Sequence, residues 1–427
     1  MSDADLGGKG AEGTTGASPG QPLPPGMADI TGPDEKLDAQ ALKTVLGRFV
    51  EGASVVAMGE SVHNSEGYMS SRIAMTKILI EDHAARHLLL EQPSEALEGI
   101  DRYLQGSAGD PAALVAKLYW VWQSGSFVDF LRWIRRHNSD HPEAVVAIAG
   151  IDPKQPAADL ARLDSRAGVD SALVGRLKRH LVGAGSLEET RAVIVAAIQK
   201  NQKLLSAEHK TECDRLIDEL SDKVLAGGAS SGCEKFQLLA ALNGLKSWQG
   251  FIYQWPFSNE LGASERDKGM ARNVVNYRRF VMRPGERAVL WAHNFHISYD
   301  SPKIEINDDE TKGSVLGRSL RETLGDSYRA IGLIGFKVGA ALPKAAPKNY
   351  QAGAGSLEHA LSALDRDLFI DTKAAGKRLD GKVLMSEIFS GDFVGQEYDT
   401  GSRMNPREQF SGLLFLRRSK PFIRDSP

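Results

Sequence analysis

Cysteine is scarce: only Cys213 and Cys233 occur, far apart and without CxxC or interleaved Cys/His spacing. No disulfide framework or zinc pattern follows from them, and a reduced, cytoplasmic setting is the expectation. No apolar run is long enough to span a bilayer, and the opening MSDADLGGKGAEGTTGASPGQPLPPG lacks the basic start and apolar stretch of a secretory signal. Neither membrane insertion nor export is expected. Charge of one sign is missing too. Lys+Arg at 52 against Asp+Glu at 55 leave a formal net charge of -3, so no overall field favours nucleic acid or an anionic membrane. No GxSxG elbow stands at a strand-to-helix turn, no P-loop or GxGxxG follows a strand, and HExxH is absent. These absences argue against a serine esterase of the common α/β-hydrolase type, a nucleotide-binding enzyme and a zincin.

What the chain does contain is an alternation of short apolar runs with longer segments of helical period, the pattern of strands joined by helices. Strands are expected at Ser54 to Met58, His87 to Leu90, Ala144 to Ala149, Arg287 to Trp291, Arg329 to Phe336 and Gly412 to Leu416. Between the first two, Met69, Ile73, Met75, Ile78, Leu79 and Ile80 give a helix one apolar face, so the unit reads as βαβ. The expected fold class is therefore α/β, a parallel-rich central sheet flanked by helices. Residues 1–27, rich in Gly, Ser, Pro and Ala, read as a disordered leader. Residues 28–155 and 261–427 form the two parts of the α/β core, and 156–260, dominated by Leu, Ala, Lys and Glu, a helical insertion. The segment KVGAALPKAAPKNYQAGAGS reads as a mobile surface excursion.

Four of the strands run into polar residues: VVAMGESVH, HLLLEQ, VVAIAGID and AVLWAHNFH. Ligands of open parallel sheets bind outside the carboxyl ends of the strands, so Glu60, His63, Glu91, Asp152, His293 and His296 are expected on one rim. Within GESVHNSEGYMSSR, Gly59 permits a sharp exit from the strand and Asn64 or Ser65 caps the next helix. A neutral His63 can take a proton from water while Glu60 orients its ring. Arg72 can stabilise an oxyanion, or else form a salt bridge to Glu91 or Glu66. The pair His293 and His296 can bind a metal, stabilise an oxyanion or donate a proton to a leaving alcohol. The aromatic group Tyr119, Trp120, Trp122, Phe127, Phe130 and Trp133 has helical spacing and reads mostly as core, with some rings free to line an apolar cleft.

These residues, in this order, resemble the erythromycin esterase family. The resemblance rests on VVAMGESVHNSEGYMSSR with LLLEQ, then YWVWQSGSFVDFLRWIRRHN, AIAGID, ERDKGMARNV, AVLWAHNFHIS, LGRSLRETLGDSYRAIGLIGF and FSGLLFLRR, and so covers nearly all the chain after the leader. It implies an α/β core with a helical insertion and a hydrolase working without metal or other cofactor. His63 would be the general base, Glu60 its partner, and Arg72, Glu91, His293 and His296 the rest of the catalytic set. Asn294, Asp152 and Trp122 are the expected substrate contacts. The implied partner is a small ester, lactone or polyketide-like molecule, with no nucleic acid and no membrane. Alternatives on the same fold are a natural-product tailoring enzyme, catalysing dehydration or cyclisation, and a non-catalytic binding protein. The family has glycine and a small residue after the histidine where this chain has Asn64 and Ser65, and the bulk of Asn64 is expected to reshape the approach to the water-binding position.

Overall fold

The computed structural model describes residues 22–422 apart from 167, 184–194, 197–198, 201–203, 228–230, 255–258, 301–302, 307–308, 311–312, 342–346, 380, 382 and 391–396. Its strands are β1 (Met27–Asp29), β2 (Val55–Met58), β3 (Ala85–Leu90), β4 (Ala147–Gly150), β5 (Arg287–Trp291), β6 (Glu305–Ile306), β7 (Asp309–Glu310), β8 (Tyr328–Ala340), β9 (Lys348–Gln351), β10 (Leu368–Asp371), β11 (Val383–Ser390), β12 (Glu397–Met404) and β13 (Gly412–Ser419). All six expected strands are among them. The main sheet runs β1-β10-β13-β8-β2-β5-β3-β4, with β9 paired to β8. From β13 to β4 every neighbouring pair is parallel. A smaller antiparallel sheet, β11-β12-β6-β7, lies apart.

Strands covered by helices on both faces must be apolar on both, which is why VVAM, HLLL and AVLW read as unbroken apolar runs. Val56 and Met58 enter one core with the helix Glu66–Asp82, while Val55 and Ala57 enter the other with Met270 and Val274. Helices Pro156–Ser165, Ser171–His180, Ala207–Gly227 and Gly232–Gln254 close around a separate apolar cluster that includes Leu163, Leu177, Leu216 and Leu242. The next helix, Asn259–Phe280, carries Met270 and Val274 against the sheet.

Two expectations change. The first 21 residues of the expected leader lie outside the described residues, but Met27 pairs with Ile370 at the sheet edge. The expected mobile excursion is partly strand, because Lys337–Ala340 pairs antiparallel with Lys348–Gln351, its connecting residues 342–346 lying outside the described ones. Short, polar edge strands such as β9 carry little apolar periodicity, so they leave no such signal in the sequence.

The turn out of β2 is fixed from outside the site. Asn64 adopts φ 59, the left-handed region in which asparagine is the best tolerated residue after glycine. Its Nδ2 donates to the Ala341 carbonyl at 2.7 Å, and its own carbonyl accepts from Phe422 N at 3.1 Å. The side chain is fully buried, with its amide held at the end of β8. Replacing it separates the two demands. Asn64→Gly keeps the backbone geometry and loses one hydrogen bond, costing about 1 kcal/mol, whereas Asn64→Ala adds left-handed strain and costs about 2–4 kcal/mol. Urea unfolding of the two variants tests this ordering, and an alanine variant as stable as the glycine one contradicts it.

Candidate active site

Glu60 lies two residues beyond β2, Glu91 one beyond β3, Asp152 two beyond β4 and His293 two beyond β5, so adjacent parallel strands deliver them to a single rim. The close approach is visible at Gly59, where a Cβ would stand 1.9 Å from Asn294 Oδ1. Glycine is needed there for this packing, since its φ is not among the positive ones. Asn294, expected at the substrate, is instead fully buried and structural. It donates from Nδ2 to Leu333 O at 2.9 Å and accepts from Leu333 N at 3.1 Å, bolting the β5 loop to β8.

His63 Nδ1 lies 2.8 Å from Glu60 Oε1, and Glu60 Oε2 accepts from Arg72 Nη2 at 2.9 Å. Arg72 sits one helical face behind, with its guanidinium 5.4 Å from the Trp122 ring centroid and 5.2 Å from that of Trp291. It has no exposed surface, and its Nε and Nη1 find no hydrogen-bond partner among the described residues. Burial lowers the Arg72 pKa from its usual value, with the Glu60 charge and hydrogen bond opposing. The expected salt bridge to Glu91 or Glu66 is therefore replaced by one to Glu60. An Arg72 sealed beneath Glu60 cannot touch a substrate oxyanion, so it positions Glu60. Trp122, expected in the cleft, is 1 % exposed and stacks on Trp291 beneath that guanidinium. The ring that does meet His63 is Trp120, edge-on at 5.7 Å between centroids and partly exposed.

A second layer was not foreseen from the sequence. Arg266, on the helix Asn259–Phe280, donates from Nε and Nη2 to the two oxygens of Asp152, each at 2.8 Å, and from Nη2 to Glu91 Oε1 at 2.6 Å. Asp152, expected to touch substrate, is thus committed to a bidentate ion pair. The adjacent Asp267 binds His296 Nδ1 at 2.7 Å, and His296 Nε2 lies 3.4 Å from Glu91 Oε1. Arg266 Nη1 is 3.2 Å from that same nitrogen, so both cations converge on Glu91. ERDKGMARNV contains these two residues, but helical periodicity alone does not say which of its charges face a site.

The two histidines after β5 differ in charge. Burial favours the neutral form of both, yet beside Asp267 and Glu91 the His296 pKa is pushed up to about 10, making it an imidazolium at neutral pH. His293 is driven well below its usual value by burial, reinforced by His63 and His296, and is neutral. It accepts from Phe295 N at Nδ1, 3.3 Å away, which leaves the ring proton on Nε2. His293 and His63 meet edge-on at 5.1 Å between ring centroids. Burial would raise Glu91, but His296 and Arg266 hold it well below the usual carboxylate range. Among the described residues no group of three or more His, Cys, Asp or Glu side chains could hold a metal ion. The carboxylates face guanidinium and imidazole groups instead.

The geometry defines an α/β protein with a cluster of histidines, carboxylates and guanidinium groups at the carboxyl rim of its parallel sheet, in which His63 faces the buried Glu60. The chain belongs to the erythromycin esterase family, whose model matches residues 80–419. Glu91, Asp152, Arg266, Asp267, His293 and His296 fall inside that match, and Glu60, His63 and Arg72 precede it. Among solved structures, the fold is similar to a succinoglycan biosynthesis protein (TM-score 0.71, 15% identity, covering 94% of this chain and 96% of that one). It is likewise similar to a protein from Bacillus cereus (0.70, 16%, 93% and 97%) and to an erythromycin esterase mutant, EreC, in its open conformation (0.65, 18%, 95% and 100%). Among the described residues no helix is long and apolar enough to cross a membrane.

Two measurements probe the electrostatics. Arg72→Met strands the buried Glu60 charge and is expected to cost about 3–5 kcal/mol. Adding Glu60→Gln recovers part of that loss, and additive costs in the urea-unfolding cycle would contradict the pairing. For His296 the folded pKa of about 10 lies above the ordinary 6.5. Its contribution to stability is therefore complete below pH 6.5 and drains away as pH rises towards 10. The stability gap between wild type and His296→Gln is accordingly wider at pH 6 than at pH 9.5, and an equal gap at both would overturn the assignment of an imidazolium.

Proposed function

We propose that the chain hydrolyses an ester or lactone of an apolar, macrolide-like substrate, using water activated by His63 and no covalent acyl-enzyme. One observation carries this reading: the chain of contacts Arg72–Glu60–His63, in which His63 Nδ1 faces Glu60 and the opposite ring nitrogen is left to take a proton from water. The water oxygen attacks the carbonyl carbon as its proton passes to His63. Glu60 stabilises the imidazolium so formed. The tetrahedral intermediate then expels the alkoxide, and His63 returns the proton to the leaving oxygen.

The oxyanion forms beside His63, within the positive potential of His296 and Arg266. Trp120 and Phe295, both partly exposed beside the histidines, supply apolar walls. Glu91, Asp152 and Asp267 hold the two cations in place. Family membership supports a hydrolytic assignment, and the preorganised charge supports acyl transfer to water.

A panel of macrolides and simpler lactones, turned over in 18O-labelled water and read by mass spectrometry, tests the reading. One labelled oxygen is expected in the product carboxyl, with no loss of activity on adding a chelator. His63→Ala lowers kcat by about 10²–10⁴-fold. Full activity in that variant removes the mechanism, and a product without added water points to dehydration or cyclisation instead.

A further inference from the structure

A cavity of about 520 Å³ opens at the rim of the main sheet opposite the candidate active site, by the amino ends of β8 and β13. Arg48, Arg321, Arg329, Lys373 and Arg407 line it, together with Asp326, Asp371 and Glu408. Five cations thus meet three carboxylates in a chain whose overall charge is negative. Those carboxylates are already engaged: Asp326 with Arg321 at 2.8 Å, Glu408 with Lys303 at 2.9 Å, and Asp371 with the backbone N–H of Ala374 at 2.9 Å. The side chains of Arg48, Arg329 and Lys373 make no ion pair or hydrogen bond among the described residues, and Arg329 Nε is buried without a partner there. Arg321, Arg329 and Lys373 all lie close enough to Asp326 to hold its carboxyl below the usual range. Three cations therefore crowd one carboxylate.

Like charges gathered in a concave site repel one another, and a buried guanidinium nitrogen without an acceptor is costly. An anion placed among them relieves both. We infer that this cavity binds a small phosphorylated metabolite, its phosphate held by Arg329, Arg48 and Lys373. The surplus of two positive charges matches a phosphomonoester, which carries close to two negative charges and three acceptor oxygens at neutral pH. Guanidinium forks suit such oxygens in bidentate pairs. The volume exceeds what inorganic phosphate alone would fill and lies within the range of metabolite-binding pockets.

Isothermal titration of the full chain with glycerol 3-phosphate, at pH 7.5 and low salt, tests the assignment. A single saturable site is expected, unchanged by His63→Ala and weakened at least tenfold by Arg329→Gln. Arg48→Gln, at an exposed position with no partner to lose, is expected to weaken binding several-fold while leaving the thermal midpoint unaltered, which separates binding from folding. Succinate, run in parallel, is expected to bind more weakly. Absence of saturable binding, binding insensitive to Arg48→Gln, or succinate bound as tightly as the phosphate each overturns the proposal.

Discussion

The fully buried guanidinium of Arg72 is the constraint around which the site is assembled. A cation removed from water is tolerated only if other charges and dipoles replace hydration. Here one carboxylate and the faces of two indoles do so. Trp291 ends β5 and Trp122 lies just ahead of the helix Gly125–Asp140, so the cation ties the sheet to the helical layer above it. Phe127 and Phe130 of that helix pack on Trp291 in turn. The reward in function is at Glu60, whose one oxygen is pinned from below while the other faces His63. An imidazole with a fixed partner has a fixed tautomer, and a fixed tautomer is what a general base requires.

Arg266 plays the corresponding part on the other half of the rim. It bridges β3 and β4 through Glu91 and Asp152, and its neighbour Asp267 reaches His296 beyond β5. The helix that carries both residues packs against Gly232–Gln254, so the helical region and the sheet meet at the charged layer. Asn243 in Gly232–Gln254 donates to Asn273 in Asn259–Phe280, and Asn273 Nδ2 donates to Ile151 O beside Asp152. These bonds set the height of the helix over the strand ends. Displacement of that helix would separate Glu91 and Asp152 from the guanidinium they share.

The six sheet strands and the rim they create were legible because strands buried on both faces must be apolar throughout, and because polar residues at their carboxyl ends stand out against such runs. Glu60, His63, Glu91, Asp152, His293 and His296 do come together there. Their partners were harder to read. Arg266 and Asp267 lie in a helix with charged residues on several faces, where spacing does not say which charge turns inward. Trp122 and Trp120 are two residues apart in a 3-10 turn, and only the path of the backbone decides that Trp120 meets His63 while Trp122 lies under Arg72. Asn64 shows the reverse case, a residue whose left-handed backbone and buried amide bond account for its presence beside His63. The small antiparallel sheet and β9 have short, polar strands without the period on which such readings depend.

The balance of charge at the carboxyl rim bears on what the site can bind. Glu60, Glu91, Asp152 and Asp267 stand against Arg72, Arg266 and His296, which leaves one negative charge in excess apart from His63. A neutral ester meets no net repulsion there, whereas an anionic substrate would meet a site whose cations are already paired. In the proposed hydrolysis, a proton taken up by His63 would cancel that excess, and the positive ring and the substrate oxyanion would form together as a compensating pair. Once the proton had returned to the leaving oxygen, the excess would reappear beside the new carboxylic acid, which becomes a carboxylate on losing its own proton to solvent. Charges a few ångströms apart at a partly buried site repel by several kcal/mol at an effective dielectric near 20, on the order of 4 kcal/mol at 4 Å. On the proposed reading, the arrangement that favours the oxyanion therefore disfavours retention of an acidic product, which links the ion pairs holding the site together to its release.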